Sequence, residues 1–329
     1  MGARAGHGES VAGDDVIQFL HYYGTHKPIS PPRHPLARSP SPMTPSLTGF
    51  ALPALNLVAF IVTVVINALS SSPRAGLTAK SNKEVSDSRL TAFTPAGYAF
   101  AIWGFIYAAG AAFMLFQLFP SRWEWVHRVV GFRLVWNLVG NCLWLFAFGN
   151  GWGDLWVSVV VLFLGILAPL ILLHSSMGIS YGEQSTATLA ETLATYVFVS
   201  LYMGWSCVAA IANVAVAATP EGSMAHAGLG AHVWSIIMQV VATALGAWFA
   251  VVRRDVVFPL PIVWALFAIG VKQAGETYDG HAAVATSARV LASLLLVCVV
   301  ASAGVHYGLL RSGKKLEKQP PFVAMEGEL

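Results

Sequence analysis

Three sets of side chains in this sequence have types and spacing that could do chemistry, and each is led by aromatic rings. Phe100, Trp103 and Tyr107 recur at i, i+3 and i+7. Asn137, Asn141, Trp144 and Phe148 recur at i, i+4, i+7 and i+11, and Phe198, Tyr202, Trp205, Ala209 and Asn213 continue the same rule. On a helix of 3.6 residues per turn each set shares one face. Aromatic rings hold a flat apolar molecule by offset stacking, worth about 0.5–1.5 kcal/mol per pair beyond area burial. Carboxamides can hydrogen-bond its polar edge, and small residues such as Ala209 and Gly104 leave room. One aromatic stripe on a membrane helix is ordinarily packing. Three stripes of the same mixture, two of them carrying Asn that cannot face lipid cheaply, point to a shared interior and a cavity.

Other chemistries lack their residues. The sequence contains no nucleophile elbow, Walker motif, HExxH or paired-carboxylate constellation, so a catalytic role is not supported. Cys142, Cys207 and Cys298 fall inside apolar runs without CxxC spacing and read as small buried hydrophobes. His127 and His174 are isolated and read as interfacial rather than metal-ligating. Arg133, Asp154, Glu191, Lys272 and Glu276 lie near the ends of apolar runs, and Lys272 can pair with Glu276 and Asp279 at the interface. This scarcity of mid-membrane charge counts against an ion-coupled transporter. A sterol-type pattern, Val305-His306-Tyr307 followed by Arg311, is a weak match. A net charge of +3, with no basic patch interleaved with aromatics, argues against nucleic-acid binding.

The elements that position these faces follow from composition. With 56% hydrophobic and 11% charged residues, the chain reads as an all-α, polytopic membrane protein. Eight apolar runs are expected to span: 50–69, 100–119, 132–148, 155–174, 192–218, 229–252, 256–271 and 284–310. Pro95 and Gly97 announce the second span, and Ala101, Gly104, Ala108 and Ala112 form a small-residue strip on it where another helix could dock, within the chain or in a homodimer. Trp123 and Trp125 sit among Arg122, Arg128 and Arg133 as interfacial residues should. Pro259 and Pro261 are expected to kink the start of the seventh span. The loop 70–92 is long enough to act as a lid or as a solvated connector. Residues 1–49 are Pro/Ser-rich and expected to be disordered, 50–218 form a first bundle, 219–311 add three helices, and 312–329 are a charged tail. Lys and Arg, notably Arg122, Arg128, Arg253, Arg254, Arg311, Lys314 and Lys315, place both termini on the cytosolic side of a membrane that the sequence does not identify.

The residues named above resemble the translocator protein family, the tryptophan-rich sensory proteins (TspO/MBR). That family's second helix opens with P-x-G-W-x-F followed by W-x-x-x-Y, roles filled here by Pro95, Gly97, Tyr98, Phe100, Trp103 and Tyr107. Its third helix carries N-x-x-W, matched by Asn141 and Trp144. Its fifth carries P-Y-x-x-W with Asn eight residues on, matched by Tyr202, Trp205 and Asn213. The likeness covers residues 50–218. Tyr98 stands for a Trp, Leu201 for a Pro, and Phe100 is one residue closer to Trp103 than in the small members. The segment from Val85 to Tyr98 resembles a longer branch with extra C-terminal helices.

The resemblance implies a five-helix bundle plus three helices and a site for a hydrophobic planar ligand, a porphyrin-like tetrapyrrole or a sterol, with no cofactor required. Tyr98, Phe100, Trp103 and Tyr107 would stack on it, while Asn141, Trp144, Tyr202, Trp205 and Asn213 supply walls and hydrogen bonds and Ala209 leaves space. The alternative is a facilitative transporter of a small apolar solute using all eight helices. A light- or oxygen-dependent enzyme acting on bound porphyrin is a third reading, without an acid–base set to serve it.

Overall fold

The computed structural model describes residues 47–72, 76–89, 91–178, 189–219, 230–275 and 282–311. The N-terminal tail, the charged C-terminal tail and the expected partners Glu276 and Asp279 lie outside these residues. The described residues are helical and without strands. The elements are α1 (Leu47–Ser70), the short α2 (Asn82–Ser88), α3 (Gly97–Gln117), α4 (Arg133–Gly149), α5 (Trp152–Ser176), α6 (Leu189–Ala218), α7 (Ala231–Val251), α8 (Leu260–Lys272) and α9 (Ala282–Arg311). All eight expected apolar runs are helices. Six are long and apolar enough to cross a membrane; α4 joins them if it is counted with its lead-in Pro120–Val130, bent 69° from it. The bend falls at Gly131, whose φ is +55°. Only thirteen residues long, α8 extends about 20 Å and falls short of a bilayer core on its own.

Polarity is inverted relative to a water-soluble domain. Val58, Ile61 and Val65 of α1, Phe105 and Leu115 of α3, and Leu294, Val297 and Val300 of α9 face outward, while Asn56, Gln117, Asn137, Asn141, Asn213 and Gln239 are buried. Lipid can solvate the first group and not the second, so the amides pair with one another, as in Asn56 Nδ2 to Gln117 Oε1 at 2.7 Å.

Helices α1, α3, α6, α5 and α4 form a closed ring, each packing on the next, and α8 fastens α7 and α9 to it through α6 and the first turn of α3. Gly140 of α4 lies backbone to backbone against Gly165 of α5. Pro169 explains the local shape: it cannot donate to the Gly165 carbonyl four residues back, and the ladder widens into a π-helix over Leu162–Leu167. Asn137 Nδ2 donates to the Ile166 carbonyl at 3.1 Å, which gives that buried amide its structural task.

Several expectations change. The strip Ala101, Gly104, Ala108 and Ala112 is exposed, and no described helix docks on it; the close contact on α3 is instead at Gly110, against Phe60 and Phe198. Pro95 lies just outside the helix, before the cap residue Ala96, and α3 begins as a 3-10 turn. Trp123 is buried against the protein, its indole N–H held by the Leu118 carbonyl. Pro259 caps α8 and Pro261 sits in its first turn, so the two prolines start that helix instead of kinking it.

Candidate ligand cavity

The ring borders a half-open cavity of about 70 Å³ toward the α2 end. Helix α3 and its approach contribute Pro95, Phe100 and Trp103; α4 contributes Asn141, Trp144 and Phe148. The π-helical stretch of α5 adds Leu162 and Ile166, and α6 adds Tyr202, Trp205, Ala209 and Asn213 among others. Asn82 and Ser86 of α2 close the top.

Two groups of rings face this space. Phe100, Trp103, Tyr202 and Trp205 interlock edge to face: Trp103 meets Trp205 at 6.4 Å and 82°, Tyr202 at 5.7 Å and 69°, and Phe100 meets Trp205 at 6.2 Å and 82°. Across the cavity Trp144 stacks on Phe148 at 5.0 Å and 16°. Edge-to-face and offset contacts of this kind fix ring orientation, because the ring quadrupoles disfavour eclipsed sandwiches.

The carboxamides are already committed. Asn141 Oδ1 accepts from Asn67 Nδ2 at 2.8 Å, and its Nδ2 donates to the Tyr202 hydroxyl at 2.7 Å. Asn213 Oδ1 accepts from the Trp144 indole at 2.8 Å, and its Nδ2 donates to Ser158 Oγ at 3.0 Å. The amides therefore orient the aromatic walls. Among the described residues the indole N–H groups of Trp103 and Trp205 have no acceptor, which leaves the cavity with donors to offer.

A second chamber of about 380 Å³ lies between α1 and α3, bordered by Val64, Asn67 and Tyr107. It shares Asn82, Phe100 and Trp103 with the inner cavity, so the Trp103 indole, stacked on Tyr107 at 5.4 Å and 25°, forms the partition. Helix α2 covers both. Its capping box joins Ser81 to Glu84, with Glu84 Oε2 accepting from the Ser81 backbone N–H at 2.7 Å and hydroxyl at 2.8 Å. Those two hydrogen bonds, the backbone one foremost, hold the Glu84 carboxyl below its ordinary range. Arg89, just past α2, pairs with Asp154 in the first turn of α5, and Asp87 pairs with Lys83 and with Lys272 of α8.

Of the ten residues singled out from sequence, Phe100, Trp103, Asn141, Trp144, Tyr202, Trp205, Ala209 and Asn213 line the inner cavity. Tyr107 lines only the outer chamber. Tyr98 lines neither: it is 44% exposed and meets Trp264 of α8 edge-on at 5.4 Å. It lies two positions from Phe100 within one helical turn, and side chains so spaced point apart. Gly104 is likewise outside the cavity.

Sequence reasoning missed Pro95 and the π-helical wall; the loop 70–92, offered as a lid or a solvated connector, contains α2, whose Asn82 and Ser86 border the cavity. Sequence reasoning also missed a buried charge. Asp255, 0% exposed, accepts from Ser200 Oγ at 2.7 Å and lies 2.9 Å from His174 Nε2, while its other oxygen caps the backbone N–H groups of Val257 and Phe258. His174, expected to be isolated, is thus a buried partner of Asp255. The signal was the pairing of Asp255 with two prolines, a helix-start pattern inside an apolar stretch.

No curated protein and no solved structure matches the chain significantly. A family profile described as TSPO-like protein matches residues 53–301, which extends past the five-helix ring into α7, α8 and most of α9. Matched over more than half of its length by that profile, this multi-pass membrane chain belongs to the TSPO-like protein family.

Proposed function

We propose that the chain is a membrane-embedded binding protein or sensor for a hydrophobic planar ligand, a porphyrin-like tetrapyrrole or a sterol. The observation that carries this reading is the convergence of Trp103, Trp144 and Trp205, from three different helices, on one cavity. At about 70 Å³ that cavity alone is far below the roughly 300–1,000 Å³ of small-molecule sites. The ligand therefore also occupies the 380 Å³ chamber behind Phe100 and Trp103, and α2 lifts to admit it. That motion breaks the partly exposed Asp87–Lys272 and Arg89–Asp154 pairs, each worth about 0–1 kcal/mol, and unseats the buried Val85.

The flat Trp144–Phe148 stack favours a conjugated macrocycle over a puckered steroid, and the free indole donors favour a ligand with oxygen acceptors at its rim. Titrating the purified protein in lipid nanodiscs with protoporphyrin IX tests this through tryptophan fluorescence. Saturable quenching with a micromolar Kd, about −8 kcal/mol, is expected, with Trp144→Ala weakening it at least tenfold. A flat response removes the tetrapyrrole reading, and displacement by cholesterol would favour the sterol.

A transporter is the second reading. Phe60, Phe113 and Phe198 pack against one another in the half of the ring away from α2, at 6.3 and 5.7 Å between centroids. That packing favours a receptor over a conduit. Protoporphyrin flux into proteoliposomes would reverse the order.

A further inference from the structure

The segment between α2 and α3 is a loop, yet Thr91, Ala92, Phe93, Thr94 and Pro95 are all buried. A buried loop must find partners for its backbone groups, since each one left unsatisfied is costly. Within the segment Thr91 and Thr94 bond to each other, through Thr94 N–H to the Thr91 carbonyl at 3.0 Å and Thr91 N–H to Thr94 Oγ1 at 3.1 Å. Three further groups find theirs on the C-terminal helices. The Ala92 carbonyl accepts from Ser235 Oγ of α7 at 2.8 Å. The Ala96 N–H donates to the Ala268 carbonyl of α8 at 3.0 Å. The Ala99 carbonyl accepts from the Trp264 indole of α8 at 2.9 Å. These anchors alternate along the chain with Pro95 and Phe100, which line the cavity.

The anchors are themselves held. Ser235 Oγ accepts from Gln239 Nε2 at 3.2 Å, and Gln239 Oε1 accepts from Ser287 Oγ of α9 at 2.7 Å. The chain of bonds thus runs from α9 through α7 to the loop. The Tyr98 ring rests on Trp264, which is why it turns away from the cavity.

We propose that α7, α8 and α9 are the positioning device of the cavity: Ser235, Trp264 and the Ala268 carbonyl grip residues 91–101 from behind and thereby fix Pro95 and Phe100 as its wall. The grip itself stands on the geometry; its effect on ligand release rests on the binding function proposed above.

The test is Trp264→Phe, which keeps the ring and deletes the donor, with Ser235→Ala as an independent variant. Hydrogen–deuterium exchange of the full chain in nanodiscs reads the grip without any ligand. Amides of 91–101 should exchange about fivefold faster in each variant, the factor of one net hydrogen bond, with α4 and α5 unchanged. Protoporphyrin IX should then dissociate faster by a similar factor. Unchanged exchange in both variants overturns the grip. Faster exchange with unaltered dissociation overturns its role at the cavity. If the unmodified protein takes up no porphyrin, the ligand reading falls, and exchange alone decides whether the helices hold the segment.

Discussion

Replacing Gly140 by Ala tests the architecture behind the cavity most directly. A Cβ at Gly140 would lie 2.1 Å from the Gly165 carbonyl oxygen and 2.6 Å from its Cα, all of it backbone that no rotamer change can move. Ordinary contact begins near 3.4 Å, so α5 must retreat by about 1 Å against a close-packed interior. Overpacking of this kind costs about 1–3 kcal/mol, which corresponds to roughly 1–4 °C in Tm for a chain of this size. The displaced wall is the one carrying Leu162 and Ile166, opposite Asn141 and Trp144, so porphyrin affinity should fall with stability. Gly165→Ala supplies the comparison, because its Cβ would meet Gly140 Cα at 3.0 Å, tight but close to tolerable. Gly104→Ala, with nothing within 4 Å, should match or slightly exceed the parent through helix propensity. Differential scanning fluorimetry of the three variants in one detergent reads the order. Equal shifts for Gly140→Ala and Gly165→Ala, or a reversal, would refute the close-contact argument.

Other outcomes follow from single contacts. Trp144→Phe keeps the stack on Phe148 but leaves the Asn213 oxygen without its indole donor; interhelical hydrogen bonds in bilayers average about 0.6 kcal/mol, so a Tm loss of about 1 °C is expected. Asp255→Ala strips His174, Ser200 and two backbone N–H groups of their shared acceptor and should cost about 3–5 kcal/mol, read as loss of the folded monodisperse species in size-exclusion chromatography. Acidification acts on α2. Because the folded carboxyl of Glu84 titrates below its ordinary value, the capping box contributes fully above that value and is lost as pH falls through the lowered one. Exchange at 82–88 should therefore quicken in the acidic range, and Glu84→Gln should flatten that dependence.

What the sequence made legible were the helices and their inward faces, because both follow from local periodicity. Asn141, Trp144, Tyr202, Trp205 and Asn213 could be placed on common faces by counting, and lipid supplies a reason for amides to turn in. Counting fails where the ladder changes period. The 3-10 start of α3 sends Tyr98 toward α8, and the π-helical stretch caused by Pro169 brings Leu162 and Ile166 to the cavity. Nor can periodicity say that Asn141 and Asn213 have spent their hydrogen bonds on Asn67, Tyr202, Trp144 and Ser158, which leaves the indoles of Trp103 and Trp205 and the Tyr107 hydroxyl as unspent donors. The link between Asp255 and His174 joins residues 81 positions apart, a tertiary fact with no local trace.

The short α8 has a consequence for how the chain is made. A thirteen-residue helix that begins just after a buried carboxylate and ends on Lys272 is a poor substrate for independent release into lipid from the insertion machinery. Ser200 and His174, which quench that carboxylate, belong to α6 and α5 and are synthesised first. Helix α8 should therefore be retained at the lateral exit until it can fold onto those earlier segments. Glycosylation mapping of nascent chains ending after residue 275 would catch the delay, lengthened when Ser200 and His174 are replaced by Ala.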